Sequence, residues 1–151
     1  MNLLLKPVAK ARWLVLMLSS AMLTTVGAHA ADMKLEAQLI WGTTNAISPD
    51  PKHKPVDADV KKRLGDLPLK WKYYFEVNRK HFAVPEGESR KEAMSKKCEL
   101  EVKHLKSGNV EVSLVGKGDK RTQPLPKGEI LVLGGNAPES TGWLITLKRI
   151  E

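Results

Sequence analysis

The stretch that decides the fold of this chain is residues 98–114, CELEVKHLKSGNVEVSL. Apolar and charged residues alternate on both sides of a turn at 106–109 that contains a glycine. An alternation with a period of two is typical of a strand with one buried face, and two such strands around a short turn form an antiparallel hairpin. The side chains predicted to face the core are Cys98, Leu100, Val102, Val110, Val112 and Leu114.

Similar strand patterns lie on both sides of this hairpin. Alternating or compact apolar runs, separated by turns rich in glycine and proline, predict further strands at 33–41, 71–77, 120–123, 129–133 and 143–150. Residues 86–97 are mostly charged or polar and contain one large aliphatic residue, Met94, so a loop is predicted there.

One short helix is predicted at 57–64. Asp57 is a suitable N-cap, and Gly65 follows a run that contains three basic residues. The apolar stripe that would pack on a sheet consists of Val56, Val60 and Leu64. With six or seven strands beside this helix, the sequence predicts an all-β, mainly antiparallel fold, either a small β-sandwich or a barrel.

Residues 1–30 are predicted to be a secretory signal peptide. Three basic residues are the only charges there, and they precede an apolar run that ends at the small-residue motif Ala28-His29-Ala30. The run is shorter than the roughly 20 apolar residues that span a bilayer, and hydroxyl residues interrupt it. We therefore expect cleavage after Ala30, export to the periplasm or the medium, and no membrane span after cleavage. An uncleaved N-terminal anchor is the alternative.

Residues 31–151 are predicted to form a single β-rich domain, because this length suits one hydrophobic core. The segment holds 22 basic and 17 acidic residues, which gives a net charge of +5. Its one cysteine, Cys98, cannot form a disulfide within the chain, so packing has to stabilise the fold. The alternation at 98–102 predicts that this thiol is a small buried hydrophobe.

No arrangement typical of a catalytic site is found in the sequence. The histidines at 53, 81 and 104 lack metal-ligand spacing, and no G-x-S-x-G motif occurs. The long proline-rich loop at 43–56 leaves one alternative open, a hydrolase or metal-dependent enzyme with Asp50, His53 and Asp57 as candidate ligands. No cofactor is expected.

A basic segment at 61–80 contains interleaved aromatic residues, a combination that can bind anionic polymers. The alternative is that the aromatic side chains face the core while the basic ones are merely solvated. The alternation of Trp71, Tyr73 and Phe75 favours that alternative and leaves Tyr74 on the lysine side. The candidate binding residues are Lys61, Lys62, Arg63, Lys70, Lys72, Tyr74, Arg79 and Lys80.

The order of these features resembles that of uncharacterised small exported bacterial β-domain proteins. The resemblance rests on the signal peptide, the first strand, the proline-rich loop, the short helix and the aromatic strand that begins WKYYF at 71–75. It concerns the layout of the chain and implies no activity and no site.

Together these features favour an exported, non-enzymatic binding or accessory module of the cell envelope or the secreted fraction. Its partner would be an envelope protein or an anionic polymer, and nucleic acid is not expected. The loop at 43–56 and the segment at 61–80 are the candidate surfaces. Besides the enzyme, a structural subunit that assembles through exposed strand edges is an alternative. The sequence does not determine the oligomeric state.

Overall fold

The computed structural model describes residues 31–134 and 141–151, so the predicted signal peptide lies outside the described residues. Two antiparallel sheets pack face to face, and one helix covers the outer face of the larger sheet. The elements are β1 (Met33–Thr43), β2 (Lys54–Pro55), α1 (Ala58–Gly65), β3 (Tyr73–Val84), β4 (Ser89–Ser95), β5 (Cys98–His104), β6 (Asn109–Leu114), β7 (Lys120–Pro124), β8 (Ile130–Gly134) and β9 (Thr141–Arg149).

β1 is the central strand of the larger sheet, whose order is β2-β3-β1-β9-β8, and the smaller sheet has the order β4-β5-β6-β7. Neighbouring strands pair antiparallel in both sheets. The predicted fold class, a small and mainly antiparallel β-sandwich with one short helix, is confirmed. The described residues contain nine strands rather than six or seven, because side-chain alternation does not reveal β2 and β4.

The prediction of a loop at 86–97 is wrong for its central part, where β4 pairs with β5. β4 is an edge strand, and Met94 is its one buried side chain. An edge strand gains backbone hydrogen bonds from a single neighbour while most of its side chains can stay in water. Its sequence therefore lacks the apolar alternation that predicts the other strands.

The main core lies between the two sheets, and the hairpin of β5 and β6 supplies one wall of it. Two of the six predicted core residues, Cys98 and Leu114, are only partly buried against this core. The four that are fully buried are Leu100, Val102, Val110 and Val112. The side chains that β1 contributes to the opposite wall are Met33, Leu35, Ala37 and Leu39. Each large aliphatic side chain buried here stabilises the fold by about 1.5–3 kcal/mol.

A second, smaller core lies on the outer face of the larger sheet. Val60 and Leu64 of α1 pack there against Ile40 of β1 and Leu144 of β9, as the apolar stripe of the helix predicts. Both faces of β1 are therefore covered, and every side chain from 37 to 40 is buried. No helix within the described residues is long and apolar enough to cross a membrane.

The predicted burial of the two tyrosines at the start of β3 is wrong. Tyr73 is 41% exposed, whereas Tyr74 packs against the outer core and donates its hydroxyl to the carbonyl oxygen of Trp71 at 3.0 Å. Trp71 itself is buried, but it precedes the strand and belongs to the outer core. The prediction assumed that only one face of the strand is covered. Packing of α1 and the segment at 66–71 covers the other face as well.

Candidate functional site

Four aromatic side chains share the inner face of the larger sheet at one end of that sheet. Trp41 of β1 lies opposite Phe75 of β3 and opposite Trp143 of β9. Leu39 belongs to the main core, so the alternation along β1 places Trp41 on the same face. Tyr73 lies two residues before Phe75 and shares its face for the same reason. Trp41, Tyr73, Phe75 and Trp143 are called the aromatic face below.

The aromatic face is not fully covered by the other residues that the structure describes. Trp143 is 56% exposed and Tyr73 is 41% exposed, while Trp41 and Phe75 are half-buried. The ring centroids of Trp41 and Phe75 lie 6.1 Å apart, which is within the range of interacting aromatic rings. Contiguous exposed apolar area on a small protein marks a surface that contacts a partner or a ligand. This end of the sheet is therefore a candidate site.

The proline-rich loop after β1 contacts this face through His53. The imidazole ring meets the indole ring of Trp41 edge-on, with their centroids 5.8 Å apart. Ser48 Oγ lies 2.8 Å from His53 Nδ1, and Asp50 Oδ2 lies 3.7 Å from His53 Nε2. The loop thus places polar side chains at the border of the aromatic face.

The three candidate metal ligands on the loop fall into two different places. Asp50 and His53 are neighbours, but Asp57 Oδ2 accepts hydrogen bonds from Arg79 Nη2 at 2.6 Å and from Gln38 Nε2 at 3.4 Å. Across residues 31–134 and 141–151, no three Asp, Glu, His or Cys side chains are grouped so that they could hold a metal ion. Asp57 belongs instead to a cluster of charged side chains beside α1.

Arg79 lies at the centre of that cluster, on the outer face of the larger sheet. Its guanidinium donates hydrogen bonds to Glu76, to Asp57 and, at 3.2 Å, to Glu36. The bond that it donates to Glu76 raises the pKa of Arg79 further above its ordinary value. His81 Nε2 lies 2.8 Å from the same Glu36 carboxylate. With three carboxylates around it, Arg79 is occupied within the protein and is not available to an external anion.

Two further cations of the predicted binding surface also have partners inside the protein. Lys80 follows Arg79 on β3 and therefore points to the opposite face of the sheet, where its Nζ lies 3.9 Å from Glu92 Oε2 of β4. Arg63 Nε donates a hydrogen bond to the carbonyl oxygen of Ile130 at 3.1 Å. These side chains connect elements of the fold, so the structure does not bring the eight candidate residues together on one surface.

Four lysines of the predicted surface are exposed, and they are called the exposed lysines below: Lys61, Lys62, Lys70 and Lys72. None of them forms an ion pair or a side-chain hydrogen bond in the part of the chain that the structure describes. The eighth candidate, Tyr74, packs against the outer core. The predicted binding surface is thus reduced to these four side chains.

Two of the exposed lysines belong to the segment that leads into β3 at the end of the larger sheet that carries the aromatic face. The backbone N–H of Lys72 donates to the carbonyl oxygen of Thr43 at 3.1 Å, and the next residue, Tyr73, lies opposite Thr43 in the sheet. Thr43 is only two residues from Trp41, so Lys72 and the nearby Lys70 precede β3 at the end of the sheet that carries the aromatic face. Positive charge and exposed aromatic area therefore occur together at one end of the larger sheet.

Sequence patterns alone do not reveal the aromatic face. Its members come from three strands that are distant along the chain, and strand pairing sets the register that places Trp41 between Phe75 and Trp143. The available signal is weak, because it consists only of an aromatic residue near the end of each strand. The sequence does predict the loop that borders the site, since its three prolines and lack of periodicity indicate irregular backbone.

The outer face of the smaller sheet carries a shallow depression of about 170 Å³. Glu101 and Lys120 are among the residues that line it. Lys120 Nζ lies 3.3 Å from Glu111 Oε1, and Lys91 lies opposite Glu101 in the sheet. Opposite charges that face each other across strands stabilise a solvated sheet face. The charged lining of this depression is therefore accounted for by pairing within the sheet.

Comparisons of the chain with models of known protein families, with curated proteins and with solved structures gave no match. The resemblance to small exported bacterial domains accordingly stays a prediction, and function has to be argued from the surfaces described above.

Proposed function

We propose that this protein is an exported, non-enzymatic binding module that attaches to an anionic polymer of the cell envelope or the secreted fraction. The proposal is supported by a difference in partners among the candidate binding cations. Arg63, Arg79 and Lys80 have partners inside the protein, whereas the four exposed lysines have no acidic partner in the described residues.

Exposed lysines without partners add positive potential to a surface while contributing almost nothing to the stability of the fold. A polyanion can contact several of them at once, and such binding weakens as salt screens the charges. The net charge of +5 on residues 31–151 has the sign that this binding requires. The charge therefore suits a polymer with repeated negative groups better than a neutral ligand.

The metal-dependent alternative is less well supported by the contacts of its residues. Asp57 accepts a hydrogen bond from Arg79 at 2.6 Å and is thereby directed to the cluster beside α1. His53 is in contact with Trp41 and Ser48, which fix the ring at the border of the aromatic face. These contacts favour a role for the loop in binding rather than in catalysis.

Assembly through the β7 edge of the smaller sheet is also less well supported. β7 is an edge strand of the smaller sheet, and its residues include Lys120, Arg121 and Pro124. Charged side chains and proline on an edge discourage pairing with another chain. A defined oligomer in light scattering would revive this alternative.

The proposal has two parts that can be tested separately. The sequence of protein recovered from outside the cytoplasm is expected to begin at Ala31, and recovery of uncleaved protein in the cytoplasm alone would contradict export.

To test binding, the purified protein is used to capture partners from envelope extract at low and high salt. Capture of anionic polymer that is released at high salt is expected. A specific protein retained at both salt concentrations, with no polymer, would contradict the polymer and indicate an accessory subunit.

A further inference from the structure

We infer that the aromatic face binds the sugar rings of an acidic polysaccharide, whose carboxylate or sulfate groups contact Lys70 and Lys72. The inference rests on the proposed function and specifies the class of polymer. The exposed lysines do not account for the exposed aromatic area at the same end of the sheet, and a ligand with sugar rings does.

Packing within the two cores does not account for the exposed aromatic side chains of Tyr73 and Trp143. Trp143 is 56% exposed and Tyr73 is 41% exposed, and neither belongs to the main core or the outer core. An apolar surface that stays in water lacks the stabilisation of about 25 cal/mol per Å² that burial of that surface would give. A ligand that covers these rings recovers this free energy. Binding therefore gives the aromatic residues a role that packing does not.

The arrangement of the rings suits an extended ligand with apolar faces and polar edges. Neighbouring strands are about 4.8 Å apart, so the row from Phe75 through Trp41 to Trp143 spans roughly 10 Å across the sheet. Aromatic rings carry negative charge on their faces. The C–H groups on the face of a sugar ring carry a small positive charge, and its hydroxyl groups point outward from the edge. Successive sugar rings can therefore stack along the row while their hydroxyl groups remain in water.

The border of the aromatic face supplies the polar contacts that such a ligand needs. His53 is fixed edge-on to Trp41, and its Nδ1 lies 2.8 Å from Ser48 Oγ. Lys72 directly precedes Tyr73 in the chain, and Lys70 lies three residues before Tyr73. Lysine on a flexible stem meets a carboxylate or sulfate as a point charge and needs no fixed geometry. Aromatic stacking and charge are thus available to one and the same chain of acidic sugars.

The test separates the contribution of sugar rings from that of charge. The purified protein is titrated with polygalacturonate, and separately with polyglutamate at the same concentration of carboxylate groups. Polygalacturonate is expected to bind about ten-fold more tightly, since its sugar rings can stack on the aromatic face and polyglutamate has no such rings. The variant Trp143→Ala is expected to weaken the binding of polygalacturonate about ten-fold and to leave the binding of polyglutamate unchanged.

Two further variants control the result. Tyr73→Ala removes a second exposed ring and is expected to act in the same direction as Trp143→Ala. Val115→Ala removes an exposed apolar side chain that follows β6 of the smaller sheet, 44% exposed and outside the aromatic face, and is expected to leave both affinities unchanged.

Other results would contradict either the inference about sugar rings or the proposed function as well. Equal binding of the two polymers, with no effect of Trp143→Ala, overturns the inference about sugar rings but leaves the proposed function intact. Binding of neither polymer, nor of a sulfated polysaccharide, overturns both. Tighter aromatic-dependent binding of oligothymidylate than of polygalacturonate overturns the assignment to sugars, since bases stack on aromatic rings as well.

Discussion

The indole ring of Trp71 lies directly against the backbone of Gly142, so closely that a Cβ added at residue 142 would overlap ring atoms Cζ2 and Cη2. Gly142 pairs with Gly42 across β1 and β9, and a Cβ on Gly42 would lie 2.8 Å from Trp71 Cε3. The two glycines thus form a flat site on the sheet that the tryptophan covers. This packing fixes the segment that leads to Lys72 and Tyr73, and so it positions one side of the candidate site.

Substitution of Gly142 by alanine is expected to lower the free energy of unfolding by about 2 kcal/mol, because the added methyl group displaces the Trp71 ring from the outer core. Urea denaturation followed by circular dichroism measures this difference. Gly65→Ala is the matched control, since nothing lies within 4 Å of the added Cβ, and it is expected to be neutral or slightly stabilising. Equal stability of Gly142→Ala and the natural protein would show that the ring is not held against the sheet.

Arg79 is expected to be far more important for stability than its neighbour Lys80. The side chains of Glu36 and Glu76 are only 12% and 15% exposed, so Arg79→Gln leaves poorly solvated carboxylates without their cation. We expect a loss of about 2–3 kcal/mol for Arg79→Gln and less than about 1 kcal/mol for Lys80→Gln. Denaturation of both variants at neutral pH measures the difference. Similar losses in the two variants would contradict the central position of Arg79 in the cluster.

The ion pair between Asp59 and Lys148 is expected to make stability depend on pH in the acid range. Lys148 Nζ donates to Asp59 Oδ2 at 2.5 Å, and this bond lowers the pKa of Asp59 below its ordinary value of 3.8. A depressed pKa in the folded state stabilises the protein above the ordinary pKa, and this stabilisation is lost as the pH falls through the lowered value. Because both side chains are partly exposed, the contribution is below about 1 kcal/mol.

Denaturation of the natural protein and of Lys148→Gln between neutral and strongly acid pH tests this expectation. The gap in stability between the two proteins should be present at neutral pH and should close on acidification. Asp59→Asn should behave as Lys148→Gln does. A gap that stays constant with pH would exclude the ion pair as its cause.

The thiol of Cys98 is expected to react slowly with alkylating reagents. Desolvation by burial raises the pKa of this thiol, with Lys117 acting weakly in the opposite direction, and the thiolate is the reactive form. The rate of iodoacetamide labelling near pH 8, followed by mass spectrometry, is expected to be several-fold lower for the folded protein than for the chain in urea. Equal rates would show that the thiol is exposed.

The hairpin at 98–114 was predictable from the sequence because one face of each strand is buried and the other is solvated, which produces a strict alternation. The strand β4 was not predictable from the sequence, because an edge strand with a single buried residue, Met94, lacks this alternation. The two tyrosines lie on the faces that the alternation predicts, but their burial was predicted wrongly for a related reason, since a helix from another part of the chain covers the second face of the sheet. Alternation reports burial on one face, and it does not predict which element covers the other.

The candidate site was predictable only in part. Exposure of Lys61, Lys62, Lys70 and Lys72 follows from their charge, but the pairing of Arg79 with Glu36 depends on strand register. The aromatic face depends on that register in the same way. Local sequence therefore predicts which residues are polar, and long-range pairing determines which of them remain available to a ligand.

The measurement that tests the central claim most directly is the salt dependence of binding to an acidic polysaccharide by two variants of equal charge. The first replaces the exposed lysines by glutamine, and the second makes the same change at four exposed lysines elsewhere, Lys96, Lys97, Lys106 and Lys127. We expect the first variant to bind at least about ten-fold more weakly near 0.1 M ionic strength, with a smaller dependence on salt, and the second to bind nearly as the natural protein does. Equal weakening in both variants would contradict the account, because binding would then follow net charge and not this surface.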